Sequence, residues 1–118
     1  MKNFNENVIE FNRLVSTNQF IEAIDKFYSD QIIASDNGGE PTKGIVAYKE
    51  ATDRFIKETT NLKSELLNII ISENMSVSER HYTFDHTKIG HWDSKQISVQ
   101  KWKDDKILFE HHFFNNGE

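Results

Sequence analysis

A chain of 118 residues suits one α+β-sized domain covering 1–118, and its net charge of −5 with scattered Lys and Arg argues against a nucleic-acid partner. Nine Phe, three Tyr and two Trp supply bulky material for one core. The absence of Cys excludes disulfides, thiolate metal sites and cysteine nucleophiles.

The first third has helical spacing. Phe4, Val8, Phe11 and Val15 fall on one face of a first helix. Thr17-Asn18 break it, and either can cap the next. Phe20, Ile24, Phe27 and Tyr28 line a second helix, which is expected to turn at Ser29-Asp30. A short apolar strand, Ile32-Ile33-Ala34, then carries Asp36 to the breaker-rich loop Asn37-Gly38-Gly39-Glu40-Pro41. A third helix starts at Thr42 or Gly44 and places Ile45, Tyr48, Thr52, Phe55, Ile56 and Thr59 at helical spacing. There, and at Phe11 and Val15, aromatic and apolar periodicity predicts packing rather than ligand contact.

From Ser64 the period is that of strands: Leu66 to Ser72, Met75 to Asp85, Lys95 to Lys103 and Ile107 to Phe114. The joints are short, which implies antiparallel hairpins. The order predicts an α+β fold with helices on one face of a curved sheet. In the last strand both alternating faces are substantially apolar, so the outer face is expected to meet a second copy in a homodimer. Met1 to Asn7 lacks the apolar run of a signal peptide, and no stretch nears the ~20 apolar residues of a membrane helix. The expectation is a soluble cytoplasmic protein with no membrane partner.

Several short stretches carry a resemblance. They are Ile21-Glu22-Ala23-Ile24, Tyr28-Ser29-Asp30, Asp36, Gly39-Glu40-Pro41, Lys43-Gly44-Ile45 and Trp102-Lys103-Asp104-Asp105-Lys106-Ile107. In order and spacing they resemble the nuclear transport factor 2-like superfamily, with SnoaL-like polyketide cyclases and bacterial ketosteroid isomerases as the nearest likeness. The usual turn Gly is Asp105 here. The resemblance implies a cystatin-like cone: three N-terminal helices on a curved, mainly antiparallel sheet enclosing one pocket. It implies a pocket for a small hydrophobic molecule and no cofactor. In the isomerases a general-base Asp ends the first strand, and counting places that role on Asp36. Their carbonyl-polarising Tyr and protonated acid fall on Asn12 and Ser98, both departures that remove strong donors. The acidic proton-transfer position of the cyclases falls near His112, where an imidazole can also move protons.

The same count puts Ser98, Gln100 and Trp102 on the pocket side of their strand, and Leu108, Glu110, His112 and Phe114 on the pocket side of the last. Asp36, Glu110 and His112 would then surround an aromatic cavity as an acid–base group. The alternatives are a structural Glu110 paired with Arg80 or a Lys, and an Asp36 that only forms a turn. Arg80, Tyr82 and Phe84 are expected to face the pocket, with Arg80 able to hold a carboxylate or phenolate. Arg80 as a rim ion pair is the alternative. The five His lack the spacing of a zinc motif, so no metal is expected. Two functions compete: a cofactor-free isomerase, cyclase or dehydratase acting on a carbonyl compound, and a non-catalytic ligand-binding or dimeric scaffold module.

Overall fold

A computed structural model describes residues 3–115. Of the N-terminal stretch considered above, Met1 and Lys2 lie outside the described residues. The elements are α1 (Phe4–Ser16), α2 (Phe20–Phe27), β1 (Tyr28–Asp36), β2 (Thr42–Lys43), α3 (Ile45–Lys57), β3 (Thr59–Ile71), β4 (Met75–His86), β5 (Gly90–Lys103) and β6 (Lys106–Phe114). The strands form one six-stranded sheet in the order β2-β1-β6-β5-β4-β3. β1 and β6 run parallel, and every other neighbouring pair is antiparallel. Three helices thus pack against a mixed, mainly antiparallel sheet. No described helix is long and apolar enough to cross a membrane.

Helix α1 starts where the Asn3 side chain accepts from the Glu6 amide at 2.8 Å. It ends at the expected break. Asn18 takes a left-handed φ of 60°, and the Asn18 and Gln19 amides donate back to the Val15 and Leu14 carbonyls, closing a Schellman motif. Neither Thr17 nor Asn18 caps α2, whose N-cap is Gln19 without a side-chain bond. α1 and α2 bury Val8, Phe11, Leu14, Ala23, Ile24 and Phe27 against Ile32, Ala34 and Ile107 of the sheet. Gly44 opens α3 at φ 89°, a conformation an L side chain resists, while its amide donates to the Ile32 carbonyl at 2.7 Å. The β5–β6 turn carries Asp104 and Asp105 at φ 52° and 64°. Two successive positive φ values match a type I′ hairpin, which Asp tolerates in place of Gly.

The structure moves some sequence boundaries. β1 already begins at Tyr28, so Ser29-Asp30 is strand rather than turn. α3 stops at Lys57 and β3 starts at Thr59, well before Leu66; a bulge at Asn61, with φ 56°, interrupts the pairing that a uniform strand pattern would reveal. β5 starts at Gly90 rather than Lys95, because Gly90 to Ser94 pair with Tyr82 to His86 of β4. Another correction concerns β6. Lys101↔Phe109 is followed by Trp102↔Ile107, so Leu108 is an extra residue in a bulge. The bulge turns Ile107 into the core, fully buried, and takes Leu108 out of the expected alternation.

Trp102 does not line the cavity, contrary to the sequence expectation. It faces the inner side of β5, but α1 and α2 close over that end of the sheet. There it makes edge contacts with Phe4, Phe11 and Phe27 at ring-centroid distances of 5.4–5.9 Å, and its indole donates to Ser76 Oγ at 3.0 Å. It is a core residue.

Candidate functional site

A cavity of about 410 Å³ lies between the helices and the inner face of the sheet. Because side chains alternate along a strand, residues two apart on β4, β5 and β6 share that face. Strand register then sets them in rows. One row crosses four strands: Ser78 of β4, Ser98 of β5, His112 of β6 and Asp36 of β1. The next row toward the core holds Ser76, Gln100, Glu110 and Ala34. Arg80 and Gln96 pair in the row on the other side, ahead of Tyr82 and Phe84. Asp36, His112, Glu110, Arg80, Tyr82, Phe84, Ser98, Gln100, Phe114 and Asn12 all line the cavity.

Glu110 is the centre of the polar network. It is 1% exposed and sits among apolar groups, where a bare carboxylate would be costly. Four donors converge on it: Tyr28 hydroxyl at 2.6 Å, Gln100 Nε2 at 2.9 Å, His112 Nε2 at 3.1 Å and the Tyr48 hydroxyl. Those bonds occupy the roughly four acceptor sites of a carboxylate. Burial is the largest influence on Glu110 and disfavours its charge. The adjacent His112 and the donors from His112, Tyr28 and Tyr48 outweigh it and lower the carboxyl from 4.5 to about 2. Glu110 pairs with neither Arg80 nor a Lys, so that structural alternative does not hold.

His112 is fixed on both ring nitrogens. Nε2 meets Glu110, and Nδ1 lies 2.7 Å from Ser98 Oγ and 3.1 Å from Gln96 Nε2. Burial alone would lower its pKa, but Glu110, through its charge and hydrogen bond, and Asp36 more weakly, raise it above the ordinary value. Burial and then Glu110 push the Tyr28 and Tyr48 hydroxyls well above theirs, so both remain protonated donors.

Asp36 is exposed at the cavity edge. Its carbonyl, not its carboxylate, accepts the Gly39 amide that closes the turn. The side chain that ties down this loop is Asn37, whose Oδ1 accepts from the Phe114 amide at 2.9 Å. Ser98 and Gln100 line the cavity, but their polar atoms are committed to His112 and to Glu110 and Ser76. Arg80 is 2% exposed, and all four of its hydrogen bonds run to neutral oxygens of Asn12, Ser16 and Ser64. It is not a rim ion pair. His81 and His91 pair instead with Asp93 and Asp85 on the outer, exposed side.

Sequence reasoning missed more than half of the wall residues. Tyr48 and Phe55 of α3, with Phe11 and Val15 of α1, line the cavity as well as packing the helices. Trp92, in the stretch taken for loop, stacks on Phe84 at 5.8 Å and meets Phe114 edge-on. The available signal was the alternation Trp92, Ser94, Gln96, Ser98, which runs unbroken into β5.

The order of helices and strands is shared with solved structures. One is a candidate SnoaL-like polyketide cyclase from Mesorhizobium loti, with a TM-score of 0.85, 12% identity, and coverage of 94% of this chain and 98% of that one. The chain has the nuclear transport factor 2-like fold. An NTF2-like protein of unknown function from Cytophaga hutchinsonii matches at TM-score 0.77 and 15% identity, over 96% of this chain and all of that one. An LEH-like epoxide hydrolase from Mycobacterium tuberculosis matches at TM-score 0.75 and 14% identity, over 93% and 80%. No protein-family model and no curated protein matches the sequence. Within the NTF2-like fold these neighbours span a cyclase candidate and a hydrolase, so the fold admits several reactions and specifies none.

Proposed function

We propose that the chain encloses a small, largely apolar carbonyl compound in a cone-shaped pocket and moves a proton on it without a cofactor. The observation that carries this reading is the row in which Asp36 and His112 are direct neighbours on β1 and β6, both facing the cavity. Adjacent strands lie ~4.8 Å apart, so a ligand atom can reach both groups. Asp36 takes the proton from the carbon next to the carbonyl. His112, held protonated, turns its Nδ1–H from Ser98 Oγ to the carbonyl oxygen as negative charge builds there and returns a proton. Glu110 is a positioning residue in this scheme: its acceptor sites are filled, and its work is to orient and charge His112. The cavity volume falls within the range of small-molecule sites.

The test uses 2-tetralone as an apolar carbonyl probe and follows deuterium wash-in at its activated carbon by NMR. The chain is expected to accelerate exchange over buffer, and Asp36→Asn to lower the rate at least about 100-fold with an unchanged Tm. Equal exchange by wild type and Asp36→Asn would remove the base role. One observation favours a second reading, a non-catalytic binding module. Asn12 and Ser98 are occupied by Arg80 and His112 and add no free donor for an enolate. Binding of 2-tetralone without exchange identifies that module.

The outer sheet face supports a homodimer. Ile97 and Phe113 are register partners there and stand 37% and 47% exposed. Large apolar side chains paired on an open sheet face are the composition of a self-complementary interface. Sedimentation giving only monomer at micromolar concentration would exclude it.

A further inference from the structure

Arg80 poses a problem of charge rather than of hydrogen bonding. Nη1 donates to Ser16 Oγ at 2.8 Å and to Ser64 Oγ at 3.0 Å; Nη2 donates to the Asn12 carbonyl at 2.8 Å and Asn12 Oδ1 at 3.0 Å. Every acceptor is neutral. The ion pairs among the described residues all involve other cations. A guanidinium does not escape burial by losing its proton. The other buried charges cancel, because Glu110 is answered by His112. Asp36 lines the same cavity, but at its exposed edge and three strands away from Arg80, and makes no ion pair with it. Arg80 is therefore, among the described residues, a buried positive charge with no carboxylate in contact, and a buried charge is normally paired.

The surroundings of Arg80 are suited to an incoming anion. Tyr82, also on the wall, is hydrogen-bonded to Ser64 and feels the Arg80 charge. Four of the five guanidinium N–H groups are engaged, which leaves the Nε–H. Phe84, Trp92 and Phe55 make an aromatic wall two and more rows beyond. From Arg80 to His112 is two strands across and two residues along, about 12 Å at the backbone.

We propose that the ligand of this cavity is an apolar carboxylate whose carboxylate group pairs with Arg80. This rests on the reading of the cavity as a small-molecule site and narrows it. The carboxylate fixes one end, the hydrocarbon body lies against Phe114 in the same row, and the reactive carbonyl reaches the Asp36–His112 row. The remaining Nε–H can donate one charge-assisted hydrogen bond to a carboxylate oxygen.

Isothermal titration of 2-naphthylacetate and of its uncharged twin, 2-naphthylacetamide, tests this at pH 7. Wild type is expected to bind the carboxylate at least 10-fold tighter than the amide. Arg80→Met is expected to lose that preference while its affinity for the amide changes less than about 3-fold. Equal binding of acid and amide by wild type overturns the proposal, and needs no variant to fold. A preference that survives in Arg80→Met assigns the anion to another cation and also overturns it. Binding of neither compound by wild type overturns the small-molecule reading itself, a failure distinct from loss of acid preference alone.

Discussion

Glu110→Gln changes one atom in a fully buried carboxylate. The wild-type carboxylate receives four donors, two of them from tyrosine hydroxyls that have no other acceptor of comparable strength. An amide keeps one oxygen and replaces the other with an NH2 that faces donors. Two hydrogen bonds to a charged acceptor are lost or inverted, each worth about 1.5–3 kcal/mol. Rotation of the tyrosine hydroxyls and neutralisation of His112 recover part of this. A second route gives the same size. Holding the carboxyl at about 2 instead of 4.5 corresponds to about 3 kcal/mol. A loss of about 3 kcal/mol should lower Tm by about 12 °C at roughly 4 °C per kcal/mol, and leave the domain folded.

The pH dependence separates this account from simple loss of packing. Glu110 has a depressed pKa, so its contribution is present above 4.5 and is lost as pH falls toward about 2. His112 has a raised pKa, so its contribution is present below 6.5 and is lost as pH rises through the raised value. The deficit of Glu110→Gln is therefore largest between about pH 4.5 and 6.5 and narrows on either side. Urea denaturation of both proteins at several pH values measures it. A deficit under 1 kcal/mol at pH 6, or one that does not vary with pH, would refute the reasoning.

The imidazole of His112, followed by NMR, should titrate above 6.5 in wild type and below its wild-type midpoint in Glu110→Gln, where burial acts without the carboxylate. Tyr48→Phe removes one donor and leaves three on Glu110, so chemical denaturation should show a loss of about 1.5 kcal/mol. Trp102→Phe should cost about 2 kcal/mol by thinning the aromatic cluster and removing the indole hydrogen bond to Ser76, yet leave 2-naphthylacetate affinity within about 2-fold. A large affinity loss there would return Trp102 to the cavity wall.

The fold was legible because its periods change where its elements change. Helical spacing from Phe4 to Phe27 and strand alternation after Met75 are each long enough to outweigh local composition. The lost boundaries lie where a partner extends an element past its own pattern. Gly90 to Ser94 contain little that demands a strand, but β4 is twelve residues long and supplies the other half of the ladder. Thr59 to Lys63 follow α3 with only Glu58 between, and the bulge at Asn61 hides their alternation. The bulge at Leu108 is of the same kind: a single extra residue is invisible in an apolar run and reverses what lies beyond it.

For the site, counting along the family resemblance placed Asp36, Glu110 and His112 on one cavity but could not say what each was bound to. That depended on Tyr28 and Tyr48, which occur at helical and strand spacings that usually mean packing. Both do pack, with rings 4.8 Å apart, and both also aim hydroxyls at Glu110. The consequence is chemical. A carboxylate with every acceptor site filled, held far below the usual carboxylate range, is a poor proton shuttle, because each proton it takes breaks a hydrogen bond. Asp36 has no such constraint: it is exposed, and its side chain does not close the turn it precedes. In the proposed reaction, proton transfer therefore falls to Asp36 and His112. Glu110 keeps His112 charged and still between them and the core.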